Sequence, residues 1–423
     1  MAAGEGAETI VIGAGIVGLM VARALLKDGR RVTVLERGEP GHGASFGNAG
    51  VLAFPEVLPL ASMDSLKQAP KWLFDPLGPL SVRPAYALKI APWLFRFFRS
   101  AGKTSYDSAL AAQSHLMRLA EMEMDAALAE TGLSVFVKRV GALDLFESEA
   151  AFRAAQHEWT LRGQAGFEGR PLTGAELAEA QPGLNPRFTH GMLFEKGRQV
   201  QNPYELTAAL AQWLAGEGVS VRKGEVARIE TQDGKRGATL IFESGERLVA
   251  SSLVIAAGAW SKPLAKGLGD RLPLDTERGY NTTLPRPNFA LKRQLYFGGH
   301  GFVASPLADG AVRIGGAVEF AGLDLAPNFA RSKAMLKKAK AFLPGLSDEG
   351  GTEWMGFRPS LPDSLPVIGR SRASRDIVYA FGHGHLGLTQ SAGTGRLVAD
   401  LLTGREPAID VSPFRPGRFS KSS

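Results

Sequence analysis

Gly13, Gly15 and Gly18 follow the spacing GxGxxG, and each glycine of such a series has its own task. The first permits a tight turn out of a strand. The second brings bare backbone against a pyrophosphate, and the third lets a helix pack close to the strand it leaves. Unpaired N–H groups and the positive end of the helix dipole then face the phosphates. Glu36 stands 18 residues after Gly18. A carboxylate there accepts hydrogen bonds from ribose hydroxyls and repels a 2′-phosphate. A second series, Gly382, Gly384 and Gly387, precedes a helix expected from about Thr389, whose N-terminus can stabilise negative charge on a ligand.

The elements that must hold these groups are legible around them. Thr9 to Ile12 is a short apolar run rich in β-branched residues, as in a buried parallel strand. Ile16 to Lys27 carries Val17, Met20, Val21, Ala24 and Leu25 on one side at helical spacing, and Gly29 closes that helix. Arg31 to Glu36 is the next strand. A long amphipathic helix is predicted over 108–131, ending at Gly132. A hairpin is predicted over 135–146, a meander and a strand over 238–258, and a helix over 328–342. The two kinds of segment interleave, so two discontinuous domains are expected.

Composition narrows the class. The chain has 423 residues, 44% of them hydrophobic and 22% charged, which suits a globular protein of two domains. Cysteine is absent, which excludes disulfides, thiolate metal sites and a flavin attached through sulfur. No metal site is expected. The net charge of +7 favours anionic partners. No run of five or six basic residues occurs, so nucleic acid is not an expected partner. The N-terminus lacks the pattern of a signal peptide and no stretch is long and apolar enough to span a bilayer. A cytoplasmic location is expected, with peripheral contact on the inner face of the membrane as an option.

The first unit alone does not separate NAD from FAD. Three later segments lean toward flavin. Residues 43–50, GASFGNAG, place Ser45 and Asn48 among glycines where an NAD enzyme would more often continue with a helix. Residues 253–261, LVIAAGAWS, end a strand in small residues that let backbone approach adenine or ribitol. Residues 382–396, GHGHLGLTQSAGTGR, supply the second glycine turn and helix.

Together with NPYELTAAL and GFRPSLPDSLPVIG, these segments make nearly the whole chain resemble the D-amino acid oxidase superfamily of FAD-dependent oxidoreductases, most of all the bacterial D-amino acid dehydrogenases. The resemblance implies an α/β fold with an α+β second domain. A Rossmann-like FAD-binding domain would span 1–85, 200–265 and 352–423. A discontinuous substrate domain on a large mixed or antiparallel sheet would span 86–199 and 266–351. FAD, held noncovalently, is the implied cofactor. Its expected contacts are Gly13, Ala14, Gly15, Ile16, Val17 and Gly18; Glu36 and Arg37; Ala44, Ser45, Asn48, Ala49 and Gly50; Val226; Ala257, Gly258 and Trp260; and Gly384, Leu386, Gly387, Leu388 and Thr389.

The implied reaction is oxidative deamination of a D-amino acid. Hydride leaves the α-carbon for flavin N5, and the imine hydrolyses to a 2-oxo acid and ammonia. A D-proline or hydroxy-D-proline dehydrogenase giving a cyclic imine, and a glycine or sarcosine oxidase, are related alternatives. A nicotinamide-linked dehydrogenase and a non-catalytic FAD-holding subunit are the readings from other classes. Arg358 matches the family arginine that holds the substrate carboxylate, a task suited to a guanidinium fork; the alternative is an ion pair with Asp363. Tyr280 is a second candidate, its hydroxyl donating to the same carboxylate or else packed in the sheet. His385 is a candidate contact to flavin or substrate, the alternative being a surface or backbone-bonding histidine of the loop, and the HGH at 383–385 departs from the commoner forms of that loop.

Trp72, Phe74, Trp93, Phe95, Phe97 and Phe98 lie among Lys71, Arg83, Lys89, Arg96 and Arg99. Aromatic residues interleaved with bases suit a bilayer interface, and a quinone or another respiratory-chain component is the expected electron acceptor. The competing reading is a helix packed on the protein body.

Overall fold

The computed structural model describes residues 8–67, 78, 80–231 and 236–419; Lys71, Trp72 and Phe74 lie outside them. Two large sheets organise the chain. The first has six strands in the order Ser220–Lys223, Arg31–Glu36, Glu8–Ile12, Ser252–Ile255, Ile377–Phe381 and Val367–Arg370. Its first five are mutually parallel and the last is antiparallel. The central strands are apolar along their whole length because both faces are covered: Ile10, Val11, Leu253, Val254 and Ile255 are all fully buried.

One face is covered by the helices Ile16–Lys27 and Gly387–Thr403, and Lys103–Thr131 packs outside against the second of them. Small residues set their spacing. A side chain at Gly395 would meet the Met20 carbonyl at 2.6 Å, and one at Gly393 would meet the Ala120 backbone at 3.0 Å. The AGTG run of the last helix is therefore a groove into which two neighbours sink. On the other face sits a three-stranded antiparallel meander, Val226–Glu230, Ala238–Phe242 and Arg247–Ala250.

The second sheet has nine strands. Eight run in the order Thr352–Ser360, Asp275–Leu284, Val312–Phe320, Phe302–Pro306, Gln294–Phe297, Ala142–Phe146, His190–Phe194 and Arg170–Thr173, and Leu80–Val82 pairs alongside Val312–Phe320. The helix Ala330–Phe342 packs on it through Met335, Ala339 and Phe342.

Several expectations shift. The strands at 80–82 and 352–360, placed with the first domain from sequence, hydrogen-bond in this second sheet. The hairpin expected at 135–146 does not form. Val137–Arg139 pairs with Arg198–Val200 in a small separate sheet, whereas Ala142–Phe146 pairs with His190–Phe194 and Gln294–Phe297. Gly141, at φ +73°, turns the chain from one sheet to the other, and the N–H groups of Val140 and Gly141 both donate to the Gly197 carbonyl. The long helix begins at Lys103, the helix expected from 328 at Ala330, and the last helix at Gly387.

Candidate active site

A cavity of about 1370 Å³ runs between the two sheets. Pockets for drug-sized ligands hold roughly 300–1,000 Å³, so this one has room for a dinucleotide and a small substrate. One end is built by the first strand–helix unit. Gly13 sits at φ +108°, and a side chain there would meet the Ala256 carbonyl at 2.5 Å. A side chain at Gly18 would come within 1.9 Å of the Gly13 carbonyl. Both glycines are thus fixed by backbone contact, as the spacing predicts.

Around the mouth of that helix, Glu36 accepts from the Ala14 N–H at 2.8 Å and the Gly38 N–H at 3.1 Å. Ser45 Oγ accepts from the Ile16 N–H at 3.0 Å. The Arg37 guanidinium lies 3.8 Å from the centre of the Trp260 ring, and both line the cavity with Val226, Ala257 and Gly258.

These residues fit FAD. The helices Ile16–Lys27 and Gly387–Thr403 both present their N-termini to the same cavity, neither has a side-chain cap of its own, and neither carries an acid in its first turn. Two such positive ends suit the anionic centre and the pyrimidine edge of a flavin dinucleotide. Asn281 Oδ1, on the cavity wall, is buried without a partner, while its amide nitrogen donates to the Gly47 carbonyl at 2.6 Å.

Most residues expected to touch cofactor do line the cavity: Gly13, Gly15, Ile16, Val17, Glu36, Arg37, Ala44, Ser45, Asn48, Ala49, Gly50, Val226, Ala257, Gly258, Trp260, Gly384, Gly387 and Leu388. Ala14, Gly18, Leu386 and Thr389 stand behind it. Gly18 is a packing residue, and Thr389 Oγ1 accepts from the Ala53 N–H at 3.0 Å, tying the 51–53 segment to the last helix.

The strands Asp275–Leu284 and Thr352–Ser360 line another part of the cavity. Their register pairs Glu277 with Arg358, Gly279 with Gly356 and Asn281 with Trp354. Alternate residues face the cavity. Arg358 extends across Gly279, where a side chain would overlap the guanidinium at 2.3–2.6 Å. Its Nη1 donates to the Ala317 carbonyl at 3.0 Å. Among the described residues no carboxylate comes within 4.0 Å of it, and Asp363 instead pairs with Arg418 at 2.7 Å. Burial pulls the Arg358 pKa downward, with Glu277 opposing; a guanidinium nevertheless stays charged.

Tyr280, the second candidate, already has its polar group in use. Its hydroxyl donates to Glu319 Oε2 at 2.5 Å and accepts from the Asn328 N–H at 3.0 Å. The side chain is 1% exposed and its ring packs on Phe329. Tyr280 borders the cavity, but with its hydroxyl held by Glu319 and Asn328 the packed-in-the-sheet alternative fits it better than a carboxylate contact.

His385 is bare to the cavity. Shielding from bulk water, reinforced by Arg358 and opposed by Glu56, lowers its pKa to about 4, so the ring is neutral at ordinary pH. His383 is 4% exposed, contacts Thr394 Oγ1 at 2.9 Å through Nε2, and is held down to about 3 by burial. The unfolded chain binds a proton here below about 6.5 and the native chain does not, so stability is complete above that pH and falls as the pH drops toward 3. The slope is at most about 1.4 kcal/mol per pH unit. His383→Gln is expected to flatten the fall in urea midpoint between pH 6.5 and 4.5; an unchanged slope would assign the acid sensitivity elsewhere.

Sequence reading missed Gly47, Glu277, Gly279 and Trp354. The Trp354 indole is clamped between two glycines, since side chains at Gly47 and Gly356 would meet it at 2.5 Å and 2.1 Å. Period-two alternation in ERGYN was the available signal for Glu277 and Gly279.

Comparisons with known proteins agree with this geometry. The profile of the DAO family, FAD-dependent oxidoreductases, matches residues 8–401. A D-amino-acid oxidase of Bradyrhizobium diazoefficiens is 37% identical over 422 residues, covering 98% of this chain and 99% of that protein. A D-amino acid dehydrogenase of Chromohalobacter salexigens is 32% identical over 423 residues, covering 98% and 100%. Among solved structures, a glycine oxidase from Geobacillus kaustophilus superposes with a TM-score of 0.75 at 24% identity, covering 97% of this chain and 99% of that one, a likeness of fold.

Proposed function

The chain belongs to the DAO family of FAD-dependent oxidoreductases, and on that premise we propose that it deaminates a D-amino acid to a 2-oxo acid and ammonia. Oxidation of an amine donor follows from the family and from the relatives at 37% and 32% identity; the D-configuration rests on those relatives' names. When bound, FAD supplies the acceptor for the α-hydrogen and its electron pair.

One observation carries the choice of an amino acid: a guanidinium stands in the cavity with a single hydrogen bond and no carboxylate within 4.0 Å among the described residues. A charge so placed is costly unless an anion arrives to meet it. A substrate carboxylate takes the free edge of the Arg358 fork, and Gly279 leaves the fork room to lie flat. With the carboxylate fixed, the α-carbon is presented in one orientation. Neutral His385 adds polarity beside it without competing for the carboxylate. The substrate amine must be unprotonated to release its α-hydrogen with a pair of electrons, so turnover rises with pH until the amine is neutral. Loss of that hydrogen and of an N–H proton leaves an imine, which water cleaves. No base from the chain is required.

The electron acceptor is proposed to be a quinone. Leu80, Val82, Trp93, Leu94 and Phe97 line an apolar part of the cavity. The helix Ala87–Ser100 that carries three of them turns Leu88, Phe95 and Phe98 outward, 91%, 62% and 60% exposed, beside exposed Lys89, Arg96 and Arg99. Spacings of seven and ten residues put those three apolar side chains on one face, and the bases suit anionic headgroups. No helix among the described residues is long and apolar enough to cross a membrane.

A two-stage experiment tests both statements. A D-amino acid added without oxygen should bleach the flavin band. A quinone analogue in anionic vesicles should restore it faster than dioxygen does, with the advantage lost at high salt. No bleaching with any D-amino acid removes the substrate assignment. Bleaching followed by faster recovery in air removes the quinone.

A further inference from the structure

The carboxylate-holding arginine leaves one wall of the same cavity without a task. Glu56, Asp144 and Glu158 surround Arg162 at 3.5, 3.8 and 3.9 Å. All four line the cavity, with Trp159 and Tyr296 beside them. The sheet explains part of the grouping: Tyr296 and Asp144 are cross-strand partners. Arg162 and its neighbours come from the helix Glu149–Gln164 laid against that edge, and Glu56 follows the 51–53 segment that Thr389 pins down.

The cluster is not closed on itself. Arg162 is 7% exposed, and Nε donates to the Pro55 carbonyl at 3.2 Å. Its terminal nitrogens meet all three carboxylates beyond the roughly 2.7–2.9 Å of a charge-assisted hydrogen bond. Trp159, 8% exposed, turns its indole N–H toward the Asp144 carboxyl and lowers that group's pKa, without the geometry of a full hydrogen bond. Three carboxylates face one guanidinium, so the wall is short of positive charge. Burial drives the Asp144 pKa up to about 7, with Arg162 and Trp159 opposing and Glu56 and Glu158 reinforcing. Among the described residues no three His, Asp or Glu side chains are grouped so as to hold a metal ion. Glu56 and Arg358 are both close enough to His385 to shift its protonation, from opposite directions. The acidic wall, the carboxylate fork and His385 all line the one cavity.

We propose that this wall receives a cationic side-chain terminus, ammonium or guanidinium, of a substrate whose carboxylate is held by Arg358. The enzyme then prefers basic D-amino acids. An ammonium or guanidinium supplies donors for carboxylates that Arg162, itself stacked 4.8 Å from the Trp159 ring, reaches only loosely, and the Tyr296 ring beside them adds an aromatic wall for a cation. An acidic side chain would meet the same carboxylates and be repelled. This specificity rests on the function proposed above, but the site can be read without turnover.

Two measurements on the FAD-loaded protein decide it. The first is calorimetric binding of 6-aminohexanoate against hexanoate, which share a carboxylate and chain length, differ by the distal ammonium, and lack an α-amine. At least tenfold tighter binding of the first is expected, with that ratio shrinking about tenfold in Glu56→Gln of equal flavin content. The second is kcat/KM for D-lysine against D-norleucine with a dye acceptor, where the same direction and at least a tenfold ratio are expected. Equal binding of the two acids, or D-norleucine turned over as well as D-lysine, overturns the cationic site. Should Glu56→Gln lose its flavin, the wild-type ratios alone decide. Preferential binding of 6-aminohexanoate without oxidation of any D-amino acid would leave the site standing and remove the deamination instead.

Discussion

Arg358→Ala is expected to lower kcat/KM for a D-amino acid by about 300-fold, near 3.4 kcal/mol, chiefly through KM and with the flavin still bound. The magnitude follows from the geometry. The guanidinium is held by one hydrogen bond to the Ala317 carbonyl, and no carboxylate of the described chain neutralises it. The incoming carboxylate is then its counter-ion, and truncation removes a desolvated bidentate pair. Arg358→Lys should recover only part of the loss, because an ammonium restores charge without the fork. Flavin content should not change, since the Gly384 N–H is held by the Pro359 backbone carbonyl and the Gly13–Gly18 turn by Ala256, contacts that the Arg358 side chain does not make. A KM within a factor of three of wild type would exclude Arg358 from carboxylate binding. The companion position is Gly279: any side chain there displaces the fork, so sequence variation at a glycine would mimic loss of the arginine.

Gly18→Val should give a protein that elutes without flavin and melts several degrees lower. A β-carbon at Gly18 falls 1.9 Å from the Gly13 carbonyl oxygen and 3.0 Å from its carbonyl carbon. Both are backbone atoms of the turn that the Ala256 carbonyl presses from the other side at 2.5 Å from any Gly13 side chain. Neither wall can yield as a flexible side chain would. The helix Ile16–Lys27 must lift from its strand, which costs about 1–3 kcal/mol or more of overpacking. Lifting also carries the helix N-terminus away from the phosphates and breaks the Ile16 N–H to Ser45 Oγ bond at 3.0 Å. Absorbance in the flavin band, taken as a ratio to protein absorbance, checks the first effect and a thermal scan the second. Full flavin occupancy in the variant would mean that close packing at Gly18 does not set the cradle.

The chain by itself determined the dinucleotide end. Gly13, Gly15, Gly18 and Glu36 act within one strand–turn–helix–strand unit, so the backbone conformations and contacts that fix them are local and their spacing records them. The last glycine turn and its helix were legible for the same reason, off by two residues at the start. The substrate end was only half legible. Arg358 was singled out by its motif and stands in the cavity, whereas for Tyr280 the sequence left carboxylate binding and packing in the sheet open, and only the fold shows its hydroxyl engaged by Glu319 and Asn328. Alternation is strict, but which parity meets the cavity depends on pairing with Thr352–Ser360 and on a register shift toward Val312–Phe320 between Arg278 and Tyr280. A one-residue change of phase exchanges the faces. The strands at 137–139 and 142–146 parted for a similar reason: each found partners more than forty residues away, and a local hairpin pattern cannot weigh those contacts. The wall of Glu56, Asp144, Glu158, Arg162 and Tyr296 lay furthest from view. Four separate stretches of chain supply it, and no spacing encodes a charge cluster that only the folding of one sheet against the other assembles.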